Sequence, residues 1–303
     1  MSLAEDDNAQ MAADAALMHG VAPHIDDSLV PQQKEGTRIA LSTYLGPFVV
    51  FVIFIAFWEW MHRVGMELLL DKRPSLLPSP VTVIDQAFLD SIVRRQLLEG
   101  LWWTTYAAFI GLAISILLGM TLAVFMAQAV WAERSIYPYL VALQATPVLA
   151  IVPIIYSVFG GGMSSRIYVV VMISIFPIVT NTLFGLTSVD ASQHDLFTLR
   201  KAGRITRLFK LQFPSAMPAI FTGFRISAGL AVIGAIVGEQ FFRQGQKPGI
   251  GIVMEQFRHK LRYPQMYGGL LVASALGIVV FFVFSWIGKL VVGHWHEATR
   301  RNS

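Results

Sequence analysis

The chain has 303 residues, 55% hydrophobic and 14% charged, with a mean hydropathy of +0.59. Soluble domains carry roughly 25% charged residues, so this is the composition of an integral membrane protein. A net charge of +4 and pI near 9.4 do not indicate nucleic-acid binding, because the Lys and Arg lie mostly between apolar spans and not on one soluble, aromatic-studded face. With no cysteine, disulfides, thiolate metal sites and cysteine nucleophiles are excluded.

Residues 1–38 are polar and acidic, with Glu5, Asp6, Asp7, Asp14, Asp26, Asp27 and Glu35. They lack a basic n-region followed by a short apolar run, so the expectation is a disordered tail and not a signal peptide.

A bilayer core needs roughly 20 apolar helical residues to cross it, since every backbone N–H and C=O must be bonded internally. Six stretches qualify: Leu45–Met61, Leu101–Ala127, Tyr139–Phe159, Ile167–Leu186, Ala216–Phe242 and Met266–Val292. The sequence therefore predicts an all-α polytopic protein with about six spans over residues 39–293, and both termini on one side. A short tail, 294–303, follows.

Between the first two spans, "LLPSPVTVIDQAFLDSIVRRQLLEG" opens on Pro78 and Pro80 and continues with Val83, Ala87, Ile92 and Leu97 at apolar positions. This reads as an amphipathic helix at the interface. The second span carries a small residue every four: Ala107, Gly111, Ser115, Gly119, Ala123 and Ala127. The fifth repeats the device with Ala219, Gly223, Ser227, Ala231 and Ala235, and the next position in register is Glu239. Each series forms a seam for close helix packing, since small residues let backbones approach in lipid; the same seam could line a moving pathway.

Pro147 and Pro153 in the third span and Pro177 in the fourth each remove a helix hydrogen bond and favour a bend. Glu59, Arg225 and Glu239 are charges at membrane depth, each read either as an interface anchor or structural ion pair, or as functional. Two tempting sites carry little. His294 and His296 stand at i, i+2, on different faces of a helix. "GGGMSS" (Gly160–Ser165) lacks the Lys of a P-loop, so no ATP site is present.

Charge does not settle orientation. With the tails inside, eleven Lys and Arg fall on each side, Arg225 being the twenty-third.

The fourth and fifth spans are separated by "DLFTLRKAGRITRLFKLQFPSAMPAIFTG" (Asp195–Gly223). Leu196, Phe197 and Leu199 are apolar there, while Arg200, Lys201, Arg204, Arg207 and Lys210 are basic, and Pro214 and Pro218 are expected to restart a membrane helix. Such a segment suits either lipid headgroups or a groove on a partner protein. It resembles the cytoplasmic signature loop of bacterial type I ABC importer permeases: Glu-Ala-Ala, three residues, Gly, then a Leu-Pro-x-Ala-x-Pro ending. Asp195 falls on the Glu, Leu196 and Phe197 on the two Ala, Lys201 on the Gly, and "FPSAMPAIFTG" on the ending. "LPSP" (Leu77–Pro80), "LQATPVLAIVPIIYSVFGGG" (Leu143–Gly162), "FPIVTNT" (Phe176–Thr182) and "GFRISAGLAVIGAIVGEQFF" (Gly223–Phe242) extend the resemblance over roughly residues 40–293. The branch it resembles serves nitrate, sulfonates, taurine and thiamine precursors.

The resemblance implies a permease subunit of the bacterial inner membrane, working as a homodimer with a dimer of separate ABC ATPase subunits and an external or lipid-anchored substrate-binding protein. ATP and Mg would be held by the ATPase, and this chain would hold no cofactor and perform no catalysis. A coupling helix over about 190–210 (Asp195, Leu196, Phe197, Leu199, Arg200, Lys201, Gly203 and Arg204) would dock on the ATPase and place loop and tails in the cytoplasm. Pro147, Pro153, Asn181, Ser227, Ala231 and Glu239 are the expected path residues. "RQGQKPGIGIVMEQFRHKLRYPQ" (Arg243–Gln265) reads as an external amphipathic helix that either rests at the interface or receives the binding protein. Lys201 departs from the family's Gly, which permits a turn with positive φ, so a shifted turn is expected. The rival readings are an ion-coupled carrier, which calls for paired intramembrane charges around broken helices, and a membrane enzyme, which calls for clustered Asp or His.

Overall fold

A computed structural model describes residues 39–244 and 248–300, with side chains for 45–244 and 248–293. Residues 1–38 and 301–303 lie outside that description, as does Lys247, and so do the side chains of His294 and His296. The chain divides into two units, one ending at Phe54 and one beginning at Ile55.

The first unit's described residues belong to helix α1 (Ile39–Trp60), whose Leu45, Phe48, Val50, Phe51 and Ile53 are all exposed. An apolar surface all round a helix suits a lipid environment.

In the second unit the chain passes through a π-helical turn (Met61–Gly65) to Leu68. Trp58 Nε1 donates to the Pro78 carbonyl at 3.0 Å and His62 Nδ1 to that of Leu77 at 2.7 Å, pinning the extended link that follows. Helix α2 (Pro80–Leu89) starts with Ser79 as N-cap, its Oγ accepting from Thr82 N–H, and proline in the first turn. Asp90 ends α2 and caps α3 (Ser91–Gln128), accepting from Ile92 N–H at 2.8 Å. The expected interfacial helix is therefore divided: its second half is the first two turns of the second span. Val83, Ala87 and Leu97 are buried as the pattern requires, but Ile92 is 70% exposed.

The expected third span is also broken. Helices α4 (Val130–Ala145) and α5 (Val148–Phe159) meet at 100°. Proline disfavours the helical conformation of the residue before it, and Thr146, preceding Pro147, is extended (ψ 125°). Helix α6 (Met163–Thr187), the short α7 (Ala191–Leu199), α8 (Arg204–Phe241), α9 (Ile250–His259) and α10 (Tyr263–Arg300) complete the order. Among the described residues five helices are long and apolar enough to cross a membrane, six if the bent pair is one span. The fifth span begins earlier than expected: Pro214 and Pro218 sit inside a continuous α8, just after a π-helical turn at Leu208–Gln212.

Helices α3, α6 and α8 form the centre, and the α6–α8 contact is the most extensive in the molecule. The small-residue seams are what permit it. A Cβ added at Gly111 would lie 2.4 Å from a Val170 methyl, one at Gly119 2.8 Å from Ile178, and one at Gly223 2.9 Å from the Pro177 carbonyl. Any larger side chain would separate the helices. The three helices are also tied by hydroxyls: Ser115 Oγ and Ser174 Oγ are 2.8 Å apart, and Ser227 Oγ donates to the Ser174 carbonyl at 2.7 Å. All three serines are fully buried, and with no water in the hydrocarbon region these bonds replace its contribution.

Candidate functional site

The segment joining α6 to α8 stands clear of the helix core. No residue of α7 is buried; Leu199 is 81% exposed, Leu196 52% and Ile205 75%. Phe197, placed beside Leu196 by the sequence reading, is only half-exposed. Asp195, Arg200, Lys201, Gly203 and Arg204 are all exposed, so acid, base and apolar groups share one accessible surface. Sequence reasoning missed Ile205 and Phe209 (63% exposed); apolar residues at i, i+4 between Arg204, Arg207 and Lys210 were the available signal.

Helix α7 ends in a Schellman turn. Ala202 N–H bonds back to the Phe197 carbonyl at 3.0 Å and Lys201 N–H to that of Thr198 at 2.9 Å. Lys201 has φ +52°. The left-handed conformation that glycine supplies at this position is thus kept by a lysine, and the turn is not shifted. Arg207 Nε donates to the Ala202 carbonyl at 3.0 Å, holding the turn against the start of α8, and Gly203 is the N-cap of α8.

The expected path residues fall into two groups. Pro147 and Pro153 are exposed on the bent α4–α5 pair. Asn181 Nδ2 donates to the Pro177 carbonyl at 2.8 Å, one turn back on α6, and is half-buried. Ser227, Ala231 and Glu239 are buried along α8 against neighbouring helices, so in this conformation they face protein and not a channel.

Glu239 is the best-connected of them. It is fully buried near the end of α8 opposite the α7 loop. Its Oε1 accepts from the Thr104 hydroxyl of α3 at 2.7 Å, and its Oε2 from Gly251 N–H at 2.8 Å. Thr104 Oγ1 in turn accepts from Ile250 N–H at 2.8 Å. The first N–H groups of a helix have no internal partner, so two transmembrane helices cap α9 from outside it. A carboxylate also suits the positive end of a helix. Gly249 is required here: a Cβ would come 2.0 Å from Glu239 Oε1. Nearby, Arg166, one of the eleven charges tallied on the side opposite the tails, is fully buried in α6, and its Nε donates to the Phe242 carbonyl at 2.8 Å.

On the outer face of α9, Glu255 is surrounded by Arg258, by His259 Nε2 at 2.9 Å and by Arg243 at 4.0 Å. The hydrogen-bonded guanidinium of Arg258 holds the Glu255 carboxyl at about 2, below the usual carboxylate range.

Residues 115–295 match the family described as binding-protein-dependent transport system inner membrane component. The chain is similar to the formylaminopyrimidine transport permease protein ThiX of Halalkalibacterium halodurans, at 34% identity over 78% of this chain and 90% of that one. It is also similar to the riboflavin transport system permease protein RibX of Chloroflexus aurantiacus (28% identity, 82% and 89% covered). A third relative is the putative aliphatic sulfonates transport permease protein SsuC of Bacillus subtilis (25%, 74% and 78%). A multi-helix membrane chain with this loop and these relatives belongs to the inner-membrane permease components of binding-protein-dependent ABC importers.

Proposed function

We propose that two copies of this chain form the translocation path of an ABC importer, driven by a cytoplasmic ATPase dimer that binds the Ala191–Arg207 segment. The observation that carries this reading is the exposed Leu196, Leu199 and Ile205 set among basic residues, in a segment that joins the two most tightly packed spans. Exposed apolar groups rimmed by charge are how a helix docks in a partner groove. The ATPase binds ATP and Mg; this chain moves between inward- and outward-open states. Loop and tails are then cytoplasmic, and the outer charge tally falls below the inner one once buried Arg166 is set aside.

On this reading Glu239 and α9 lie on the external side, where the substrate-binding protein docks, and Pro147, Pro153, Asn181, Ser227, Ala231 and Glu239 border the path as the helices part. The substrate is a pyrimidine-type vitamin precursor, supported by greater identity to a formylaminopyrimidine permease (34%) than to a sulfonate permease (25%).

The test is to purify the tagged chain from its own cells under mild solubilisation and assay the complex for ATP hydrolysis and for uptake of labelled aminopyrimidine and alkanesulfonate. Co-purification of a P-loop ATPase in roughly equal amount, with pyrimidine uptake, is the expected result. Sulfonate uptake would correct the substrate alone. A chain that purifies by itself and transports on an ion gradient would overturn the importer reading.

A further inference from the structure

Arg225 and Lys289 open into one groove between α8 and α10, a cavity of about 400 Å³ walled by Phe221 and Phe284 and edged by Thr222 and Ser285. The two hydroxyls are occupied by their own helices, Thr222 on the Pro218 carbonyl and Ser285 on that of Phe281. The two cations are not. Neither forms an ion pair among the described residues; Arg225 lies with its guanidinium carbon 5.4 Å from the Phe281 ring centroid, and its Nε is buried with no hydrogen-bond partner. A buried donor left without an acceptor is costly, and more so on a charged group.

The groove does not stop there. On the far side of Arg225 it continues toward the middle of the span as a cavity of about 780 Å³ along Ile226, Ile233, Leu270 and Phe282. Arg225 is the residue common to both parts. Helical side chains point toward the N-terminus of their helix, which for Arg225 is the end bearing α7 and, α10 running the other way, the end near Lys289. Cations at the mouth and an apolar trough running inward from them match one amphiphile: an anion with a long hydrocarbon tail.

We propose that the α8–α10 groove is a binding site for an anionic phospholipid of the leaflet on the α7 side, its phosphate between Arg225 and Lys289 and one acyl chain along the trough. The phosphate oxygens supply the acceptor that Arg225 Nε lacks, and the aromatic ring beneath Arg225 holds the guanidinium in place. This assignment needs only that the chain spans a membrane; it does not rest on the substrate or the ATPase.

Native mass spectrometry of the full-length chain, released from detergent with equal phosphatidylglycerol and phosphatidylcholine, tests it. The expected result is a retained phosphatidylglycerol adduct that weakens on the order of tenfold in the Arg225→Gln, Lys289→Gln double variant, as removal of two cations near a headgroup implies. Equal retention of both lipids, or a preference surviving the double variant, would overturn it. If the variant does not fold, phosphatidylglycerol carrying a photoreactive acyl chain decides on the unaltered protein: labelling within 225–236 and 270–282 supports the site. Labelling elsewhere, or cross-linking of those segments to a second copy of the chain, overturns it.

Discussion

Two of the short helices outside the spans, α7 at one end and α9 at the other, end alike. Each closes in a Schellman turn with a non-glycine residue left-handed, Lys201 at φ +52° and Leu261 at φ +59°. Their attachments differ. Helix α9 buries Ile250, Ile252, Val253 and Phe257, and its first turn is capped by Thr104 and Glu239. Helix α7 buries nothing and has no side-chain cap. One is fastened by its own chain; the other has no such fastening among the described residues. An amphipathic helix in a permease is therefore read by what satisfies its apolar face and free N–H groups, not by its pattern alone.

The comparison is broken most severely at Glu239. Glu239→Leu leaves the Gly251 N–H without its acceptor in a buried site, a loss of about 3 kcal/mol. Amide hydrogen exchange across Ile250–His259 in the reconstituted protein should rise roughly 100-fold, with α7 unchanged; unchanged α9 exchange would show that the cap does not hold it. Gly249→Ala attacks the same junction sterically and should cost about 1–3 kcal/mol, read as accelerated proteolysis between α8 and α9.

On the other helix, Leu199→Asp should leave thermal stability within about 0.5 kcal/mol of the parent, as for exposed positions generally, yet abolish co-purification with the ATPase. Phe197→Asp, half-buried, should reduce both. An ATPase that still binds the Leu199 variant would contradict the docking surface. Lys201→Gly and Leu261→Gly should each stabilise their turn by about 1 kcal/mol, since left-handed backbone strains any side chain. Slower exchange of the Ala202 and Arg262 amides checks this.

The smallest expected effect is acidic. Glu255 titrates near 2 in the folded protein against 4.5 ordinarily, so its contact with Arg258 contributes fully above about pH 4.5 and is lost as pH falls through about 2. Exchange in α9, after correction for intrinsic rates, should show an acid step below about pH 4, with no such step in Glu255→Gln.

Much of this was legible in the sequence, because lipid imposes long apolar runs and four-residue small seams that pattern alone reveals; the Ala107–Ala123 and Gly223–Ala235 series pack where their spacing predicts. The broken third span was less so: Pro147 was visible, but proline inside a membrane helix usually bends it by far less than 100°. The asymmetry between Leu199 and Phe197 could not be read, since both are apolar and their spacing alone does not say which is partly covered. Thr104 was missed because its partners Glu239 and Ile250 lie more than a hundred positions away in the chain; Gly249 and Gly251 are close to Glu239 in sequence, but single glycines carry no pattern. Lys201 gave a false signal: glycine is the easiest residue for a left-handed turn, but two good hydrogen bonds hold lysine there as well.

The fit between α6 and α8 has one more consequence. These helices touch at glycine distance, share the Ser174–Ser227 bond, and are the pair that the α7 loop joins directly. A Cβ added at Gly223 would lie 3.0 Å from Asn181 Cβ, and one at Gly234 3.0 Å from Val170 Cα, so the two backbones leave no room for a side chain between them. On the proposed coupling role, a force applied at the loop reaches both helices through this contact, and the far end of α8 carries Glu239 and the capped start of α9.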